Sequence, residues 1–262
     1  MTAQPVVFIH GLWVHSAAWE PWIQLYRTAG YTPLAPGWPG DAADVEATRR
    51  NRSAVAGHGL ADIAEHYTKI VADLPQHPII IGHSFGGLIA QQLLASGHAS
   101  HAVAIDPGPP KGVTKVPLSQ IRAALPVLRK KSNRDNAVTL TERQFRYSFA
   151  NAVSKDEARE LYRRWSIPGP GKPLFEATSA KKDPNSPAAV DTASSDRGPL
   201  LITGGGKDHQ VPEAVTRQAY QLYADSRAVT DYHVFADRGH SLVFDSKWRE
   251  VADFTLSWLA RH

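Results

Sequence analysis

The chain has 262 residues, enough for one large domain or for one domain that carries an insertion. Its hydrophobic fraction of 42% and charged fraction of 21% are typical of a globular protein, and a net charge of +4 is too small to imply nucleic-acid binding. The absence of cysteine excludes disulfides, thiolate metal ligands and a thiol nucleophile.

The sequence shows no pattern typical of a membrane span or of an export signal. No apolar run approaches the roughly 18 residues that span a bilayer. Residues 1–4 lead directly into an apolar strand, without a basic region, a long apolar stretch or a cleavage site of small residues. The sequence therefore predicts a cytoplasmic protein without a membrane span.

Strand and helix patterns alternate along much of the chain. Apolar, largely β-branched segments predict buried strands at 5–9, 78–81, 102–106 and 199–203. Two further strands are predicted at 31–35, which is short and bounded by proline, and at 229–235. Helical spacing predicts helices at 16–27 (with Ser16 as N-cap), 60–74, 85–94, 212–223 and 247–259, while residues 48–58 show no clear period. This alternation predicts a parallel sheet with right-handed crossovers.

The composition changes between the fourth and fifth predicted strands. Residues 107–198 show only helical patches, at 118–131, 141–152 and 154–165, and no buried strand. They hold 17 Lys or Arg against 9 Asp or Glu. We predict a helical cap over this range, inserted between two core segments, 1–106 and 199–262. Its positive charge indicates either solvated helix faces or an affinity for anionic substrates or surfaces.

The stretch from Pro78 to Ala90 combines a buried strand, a sharp turn and a helix. The turn contains Gly82-x-Ser84-x-Gly86, the nucleophile-elbow pattern. The glycines prevent collisions where the chain reverses, and the Ser84 hydroxyl is held at a helix N-terminus, where negative charge is favoured. This context predicts that Ser84 is a nucleophile.

A serine nucleophile needs a general base and a carboxylate that orients the base. Among twelve histidines we choose His240, because it follows the last strand and Gly239 before it leaves room for the ring. Asp208, in the loop after the penultimate strand, is the favoured carboxylate, and Asp106, after the fourth strand, is the alternative. No group of histidines and carboxylates has the spacing of a metal site.

The first strand ends in His10-Gly11-Leu12-Trp13. Because Gly11 lets the backbone turn inward, we expect the backbone N–H groups of Leu12 and Phe85 to form an oxyanion hole. Trp13 and Trp38 are candidates for the substrate pocket, although Trp38 is equally compatible with simple packing.

These motifs, together with Gly206-Lys207-Asp208 and Gly239-His240-Ser241, resemble the landmarks of the α/β-hydrolase superfamily, especially its bacterial esterase and haloperoxidase-like branch. The resemblance covers both core segments but not the cap. It implies an eight-stranded fold in its full form. Since this chain starts at what would be the third strand, we expect a six-stranded, doubly wound parallel sheet without an antiparallel edge.

The same resemblance implies a cofactor-independent serine hydrolase that cleaves a carboxylic ester or related acyl bond through an acyl-enzyme. The expected partner is a small-to-medium apolar acyl substrate; the oligomeric state is left open. Alternatives with the same scaffold are a perhydrolase, a C–C hydrolase, a lyase, an oxygenase that uses only the His240–Asp208 dyad, or a ligand-binding receptor.

Overall fold

A parallel β-sheet forms the centre of the protein. A computed structural model describes residues 3–262; Met1 and Thr2, which open the first predicted core segment, lie outside the described residues. The strands are β1 Pro5–Ile9, β2 Thr32–Leu34, β3 Ile79–His83, β4 His101–Ile105, β5 Ala137–Val138, β6 Gly169–Pro170, β7 Leu200–Gly205 and β8 Thr230–Phe235.

Six of these strands form the main sheet, in the order β2-β1-β3-β4-β7-β8, and all neighbours in it are parallel. Every residue of β1, β3 and β7 is buried, as expected for strands covered on both faces. The predicted α/β fold, with six parallel strands and no antiparallel edge, is confirmed. The short antiparallel pair β5–β6 was not predicted, because two-residue strands carry no periodicity.

Helices occupy the connections between the strands. Within residues 3–262 they are α1 Glu20–Thr28, α2 Val45–Arg50, α3 Leu60–Ala72, α4 Phe85–Ala95, α5 Leu118–Leu128, α6 Glu142–Ser148, α7 Lys155–Trp165, α8 Lys172–Ser179, α9 Glu213–Gln221 and α10 Trp248–Leu259. None of these helices has both the length and the apolar character that a membrane crossing requires. Helices α5 to α8 all lie in the segment between β4 and β7.

One predicted helix start needs correction, and two helices were missed. Residues Ser16–Trp19 form a 3₁₀ turn capped by His15, whose Nδ1 accepts from the backbone N–H of Ala17 (3.1 Å). The α-helix starts only at Glu20, because Pro21 suits its first turn. The short helices α2 and α8 escaped prediction because neither is long enough to show a clear apolar period.

An aromatic cluster fixes helix α1 on the sheet. The ring of Phe8 in β1 lies 5.0 Å from the ring of Trp19, 6.0 Å from that of Trp22 and 5.2 Å from that of Tyr26. The Tyr26 hydroxyl is 2.7 Å from the Thr255 hydroxyl of α10, which links the two helices. These aromatic side chains therefore belong to the core.

The parallel arrangement brings the strand ends together at one edge of the sheet. Strands β1, β3, β4, β7 and β8 all end at this edge, and the residues that follow them include Leu12, Ser84, Asp106, Asp208 and His240. Ligand sites in open parallel sheets lie at this edge. The topology thus assembles the predicted site residues from five separate parts of the chain.

Candidate active site

Ser84 occupies a strained turn between β3 and α4. Its backbone has φ 57° and ψ −125°, a conformation that residues with a side chain rarely adopt. The turn is closely packed: a Cβ on Gly82 would lie 2.0 Å from the Gly86 carbonyl oxygen, and a Cβ on Gly86 would lie 2.2 Å from that of Ile9. The two glycines of the motif therefore allow the chain to reverse beside β1.

Replacement of Gly86 by alanine should test this packing. Gly86 lies in the first turn of α4, where helix propensity alone predicts a gain of about 1 kcal/mol. The collision with the Ile9 carbonyl predicts instead a loss of about 4 kcal/mol or more. Gly30→Ala is the matched control, because Gly30 has φ 90° but an added Cβ would meet nothing within 4 Å; we expect a loss of about 1 kcal/mol. Urea unfolding measures both values, and a stable Gly86→Ala variant would refute the close packing.

His240 and Asp208 form a buried pair. The Nδ1 atom of His240 lies 2.6 Å from Oδ2 of Asp208, and both side chains are inaccessible to solvent. Oδ1 of Asp208 accepts from the backbone N–H groups of Gln210 (2.6 Å) and Val211 (2.8 Å). These bonds orient the carboxylate, which in turn places the imidazole proton on Nδ1.

The other ring nitrogen of His240 is free to accept a proton. Nε2 is buried and has no hydrogen-bond partner within residues 3–262. Burial lowers the pKa of His240, so the ring is neutral near pH 7. The Ser84 hydroxyl does not bond to Nε2 in this structure. The two segments are nevertheless close, because the ring of His83, the residue before Ser84, lies 4.5 Å from the His240 ring. Catalytic hydrogen bonds often tighten only when substrate binds.

The position of His240 also depends on the segment between β4 and β7. The ring of Phe149 packs edge-on at 4.9 Å from the His240 ring, and its carbonyl accepts from the Ser241 N–H (2.9 Å). A Cβ on Gly239 would lie 3.0 Å from Oδ1 of Asn151, so this glycine makes room for the loop after α6 rather than for the imidazole. The sequence contained no signal for the contribution of Phe149.

Asp106, the alternative acid, lies beside Asp208. Polar atoms of Asp106, Asp208 and His240 all fall within 4.8 Å of one another. Oδ2 of Asp106 accepts from the Gly205 N–H (3.1 Å), and Oδ1 accepts from the Thr203 hydroxyl (3.3 Å). The structure therefore brings both candidate carboxyls together, but only Asp208 contacts a ring nitrogen of His240.

The two carboxyls differ in their tendency to ionise. Burial, reinforced by the adjacent Asp208, raises the pKa of Asp106 well above its ordinary value of 3.8. Burial also raises the pKa of Asp208, but hydrogen bonds from Asp106 and from the N–H groups of Val211 and Gln210 oppose that rise. Two buried carboxylates this close cannot both ionise easily. Of the two carboxyls, Asp106 therefore keeps its proton to the higher pH. Asp106, Asp208 and His240 lie close enough together to hold a metal ion, a grouping that their spacing in the sequence did not indicate. Their recorded bonds favour a hydrogen-bonded network instead, because Asp208 already bonds to His240 and both Asp106 oxygens already accept from protein donors.

The segment before Leu12, one of the two predicted oxyanion donors, comes close to Ser84, and Phe85, the other, follows Ser84 in the chain. Gly11 touches the serine, since a Cβ there would lie 2.7 Å from the Ser84 Cβ. The N–H groups of Leu12 and Phe85 donate to no acceptor within residues 3–262. Both are thus available for a negatively charged oxygen.

Trp13 and Trp38 support this turn and do not line the cavity that contains Ser84. The indole N–H of Trp13 donates to the Val138 carbonyl (3.0 Å). The backbone N–H of Trp38 donates to Nε2 of His10 (3.1 Å), and its indole N–H donates to the His10 carbonyl (3.1 Å). Both indoles are buried in packing, so the structure does not bring these two candidates to the cavity.

A mostly apolar cavity of about 370 Å³ contains Ser84. Its walls come from the loop after β4, from α5 and from α8; the apolar side chains include Phe85, Val113, Ile121, Ala124, Leu125, Leu128, Leu174, Ala177 and Val211. Gln210 also lines it, and its Oε1 is buried without a partner within the described residues. Apart from Phe85, which the elbow motif already placed beside Ser84, sequence reasoning missed these wall residues, because they come from separate segments.

Known structures share this fold. An Arabidopsis methylesterase, MES16, matches with a TM-score of 0.68 and 16% identity over 99% of this chain and 100% of its own. A monoacylglycerol lipase from Paleococcus ferrophilus matches with a TM-score of 0.68 and 19% identity over 98% and 94% of the two chains. A meta-cleavage product hydrolase matches with a TM-score of 0.67 and 18% identity over 99% and 92%. At these identities the likeness establishes the fold and leaves the reaction open.

No curated protein sequence matches the chain. The sequence model of the alpha/beta hydrolase family, however, matches residues 6–254, which is nearly the whole chain. The matched range includes Ser84, Asp106, Asp208 and His240. The family match also agrees with the six-stranded parallel sheet. This chain therefore belongs to the alpha/beta hydrolase family.

Proposed function

We propose that this protein is a serine hydrolase that cleaves a carboxylic ester or related acyl bond through an acyl-enzyme. The observation that carries the proposal is the strained Ser84 turn, which holds a hydroxyl at a helix N-terminus in the wall of an apolar cavity. Strained backbone of this kind is retained where function requires it. The buried His240–Asp208 pair supplies the base that such a serine needs.

The chemical roles follow from the hydrogen bonds. Ser84 Oγ attacks the acyl carbon while its proton passes to Nε2 of His240, the nitrogen without a partner. The N–H groups of Leu12 and Phe85 stabilise the resulting oxyanion. The bond to the leaving group then breaks as His240 returns the proton to it. Water, activated by the same imidazole, releases the acid from Ser84.

The cavity supports an acyl substrate of small to medium size. Its aliphatic walls favour hydrocarbon, and each buried CH₂ group contributes about 0.8 kcal/mol, or roughly fourfold in kcat/KM. We propose that residues 107–198 act as a cap, since α5 and α8 from this range form one wall of the cavity. A cytoplasmic location stays a prediction from the sequence.

A fluorophosphonate probe tests the proposed nucleophile directly. The Ser84 oxygen should displace fluoride from phosphorus, which adds one probe mass per chain, and peptide mapping should place the adduct on Ser84. Heat-unfolded protein is the control, because the oxyanion donors are then dispersed. In parallel, kcat/KM for p-nitrophenyl esters should rise from acetate towards longer acyl chains until the cavity is filled. Failure to label and failure to hydrolyse any ester of the series would together refute a serine hydrolase.

A further inference from the structure

An exposed apolar stripe lies beside the mouth of the cavity. We call it the α5 surface; it consists of Val116, Leu118, Ile121 and Leu125, whose exposed fractions are 62%, 83%, 44% and 53%. Leu118, Ile121 and Leu125 follow a spacing of three and four residues and thus share one face of α5. Within residues 3–262 the other large apolar side chain with comparable exposure is Val229, which precedes β8. The concentration on one helix face indicates an interaction site rather than scattered surface residues.

Cations without acidic neighbours in sequence surround this stripe. Residues 107–134 contain no Asp or Glu and carry Lys111, Lys115, Arg122, Arg129, Lys130, Lys131 and Arg134. The side chains of Lys115, Arg129, Lys130 and Lys131 are exposed, and within residues 3–262 none of the four forms an ion pair. Lys181, which follows α8 and also lines the cavity, adds a further positive charge. The α5 surface is therefore apolar, and the exposed cations just before and just after α5 give it a positive border at both ends of the helix.

A substrate in the cavity would cover only part of this surface. Val116, Ile121 and Leu125 contribute to the cavity wall, whereas Leu118, the most exposed of the four, does not. Burial of Leu118 requires a partner outside the protein. A second copy docked by a two-fold axis would place each cationic border against its own counterpart, which is electrostatically unfavourable.

We propose that the α5 surface docks on an anionic lipid bilayer. The combination of an apolar helix face with a cationic border is the pattern by which helices bind in the plane of a membrane interface. Leu118, Ile121 and Leu125 would enter the acyl boundary, and Lys115, Arg129, Lys130 and Lys131 would contact lipid phosphates. The cavity mouth would then open towards the lipid. Docking does not depend on the chemistry of Ser84, so it can be tested independently of the hydrolase function.

Flotation with vesicles tests the proposal on the full chain. Vesicles of phosphatidylcholine alone are compared with vesicles that contain phosphatidylcholine and phosphatidylglycerol at about 3:1. We expect at least tenfold stronger binding to the anionic vesicles, reduced by added salt because the cations contribute to it. Absence of binding, or equal binding to both kinds of vesicle, would overturn the proposal.

Two variants separate the apolar and the cationic contributions. Leu118→Glu removes the most exposed apolar side chain, and because Leu118 begins α5, a glutamate there suits the helix dipole. We expect at least tenfold weaker binding to anionic vesicles, while Val229→Glu, the matched control, binds as wild type does. Lys130→Gln with Lys131→Gln should weaken binding about 25-fold, at about fivefold per charge. Lys155→Gln with Lys247→Gln, the same change of charge elsewhere on the exposed surface, should have little effect.

Other occupants of the α5 surface predict different results. If a second copy covers it, sedimentation will show a dimer that Leu118→Glu dissociates, and vesicles will not bind. If an acidic protein is the partner, neither kind of vesicle will float the chain. If only charge matters, the lysine variant will lose about 25-fold, while Leu118→Glu will lose only the roughly fivefold that its single charge costs. Each of these results overturns lipid docking.

Thermal unfolding of every variant checks that its fold is retained, and the lysine pair keeps the test valid should Leu118→Glu prove unstable.

Discussion

The Ser84→Ala variant is expected to lose about a millionfold in kcat for ester hydrolysis, the loss typical of removing a nucleophile from such a triad. Without Oγ no acyl-enzyme can form. Only the oxyanion donors Leu12 and Phe85 and substrate binding would remain, which leave roughly a thousandfold over the reaction in water. The measurement is turnover of p-nitrophenyl acetate by purified protein, with active-site titration of the wild type to exclude traces of contaminating esterase.

Ser166→Ala is the matched control. Like Ser84, Ser166 is 4% exposed, and its Oγ makes no hydrogen bond within the described residues. It does not line the cavity with Ser84, so we expect its kcat within about twofold of wild type, in keeping with the small effects of changes away from a site. Substantial activity in Ser84→Ala would contradict the acyl-enzyme and favour an oxygenase or lyase that uses only His240 and Asp208. A wild type that binds ligand but turns nothing over would favour a receptor.

The loss of kcat on replacing each carboxyl by an amide should distinguish Asp208 from Asp106. Asp208→Asn is expected to lower kcat about ten-thousandfold, because an amide at this position stabilises the wrong tautomer of His240 and cannot balance the charge of its imidazolium. Asp106→Asn should lower kcat by less than about tenfold. An amide resembles the protonated carboxyl that we infer for Asp106, since it can still donate to Asp208 and accept from the Gly205 N–H.

The pH dependence of stability provides a second readout for Asp106. Its pKa is raised in the folded state, so between 3.8 and the raised value the folded protein binds more protons than the unfolded chain. Stability must then fall as the pH rises through this window. Asp106→Asn removes this contribution, and its free energy of unfolding relative to wild type should increase with pH. If Asp106→Asn instead abolishes turnover while Asp208→Asn keeps it, Asp106 is the orienting acid.

The sequence alone determined the parts of this protein that depend on local pattern. Apolar runs rich in β-branched residues marked the four central strands of the main sheet, because strands covered on both faces exclude polar residues. The two edge strands, β2 and β8, are only partly buried and gave a weaker signal. The glycines at positions 82 and 86 marked the turn, because only glycine tolerates the close approach of the backbone there. These two glycines and the order of the strands along the chain were enough to place Ser84, Asp208 and His240 at one edge of the sheet.

Tertiary structure decided what depends on contacts between distant segments. The pairing of Asp106 with Asp208, the support of His240 by Phe149 and the walls of the cavity all join residues far apart in the chain, and no local spacing encodes them. Trp13 and Trp38 illustrate the same limit: an aromatic residue near a turn suits a pocket or a packed core equally well, and only the fold assigned both to packing. The exposure of Leu118 on α5 also follows from which helix faces the other elements leave uncovered. Local pattern specifies elements and turns, whereas the site's electrostatics and its surroundings arise from the packing of those elements against one another.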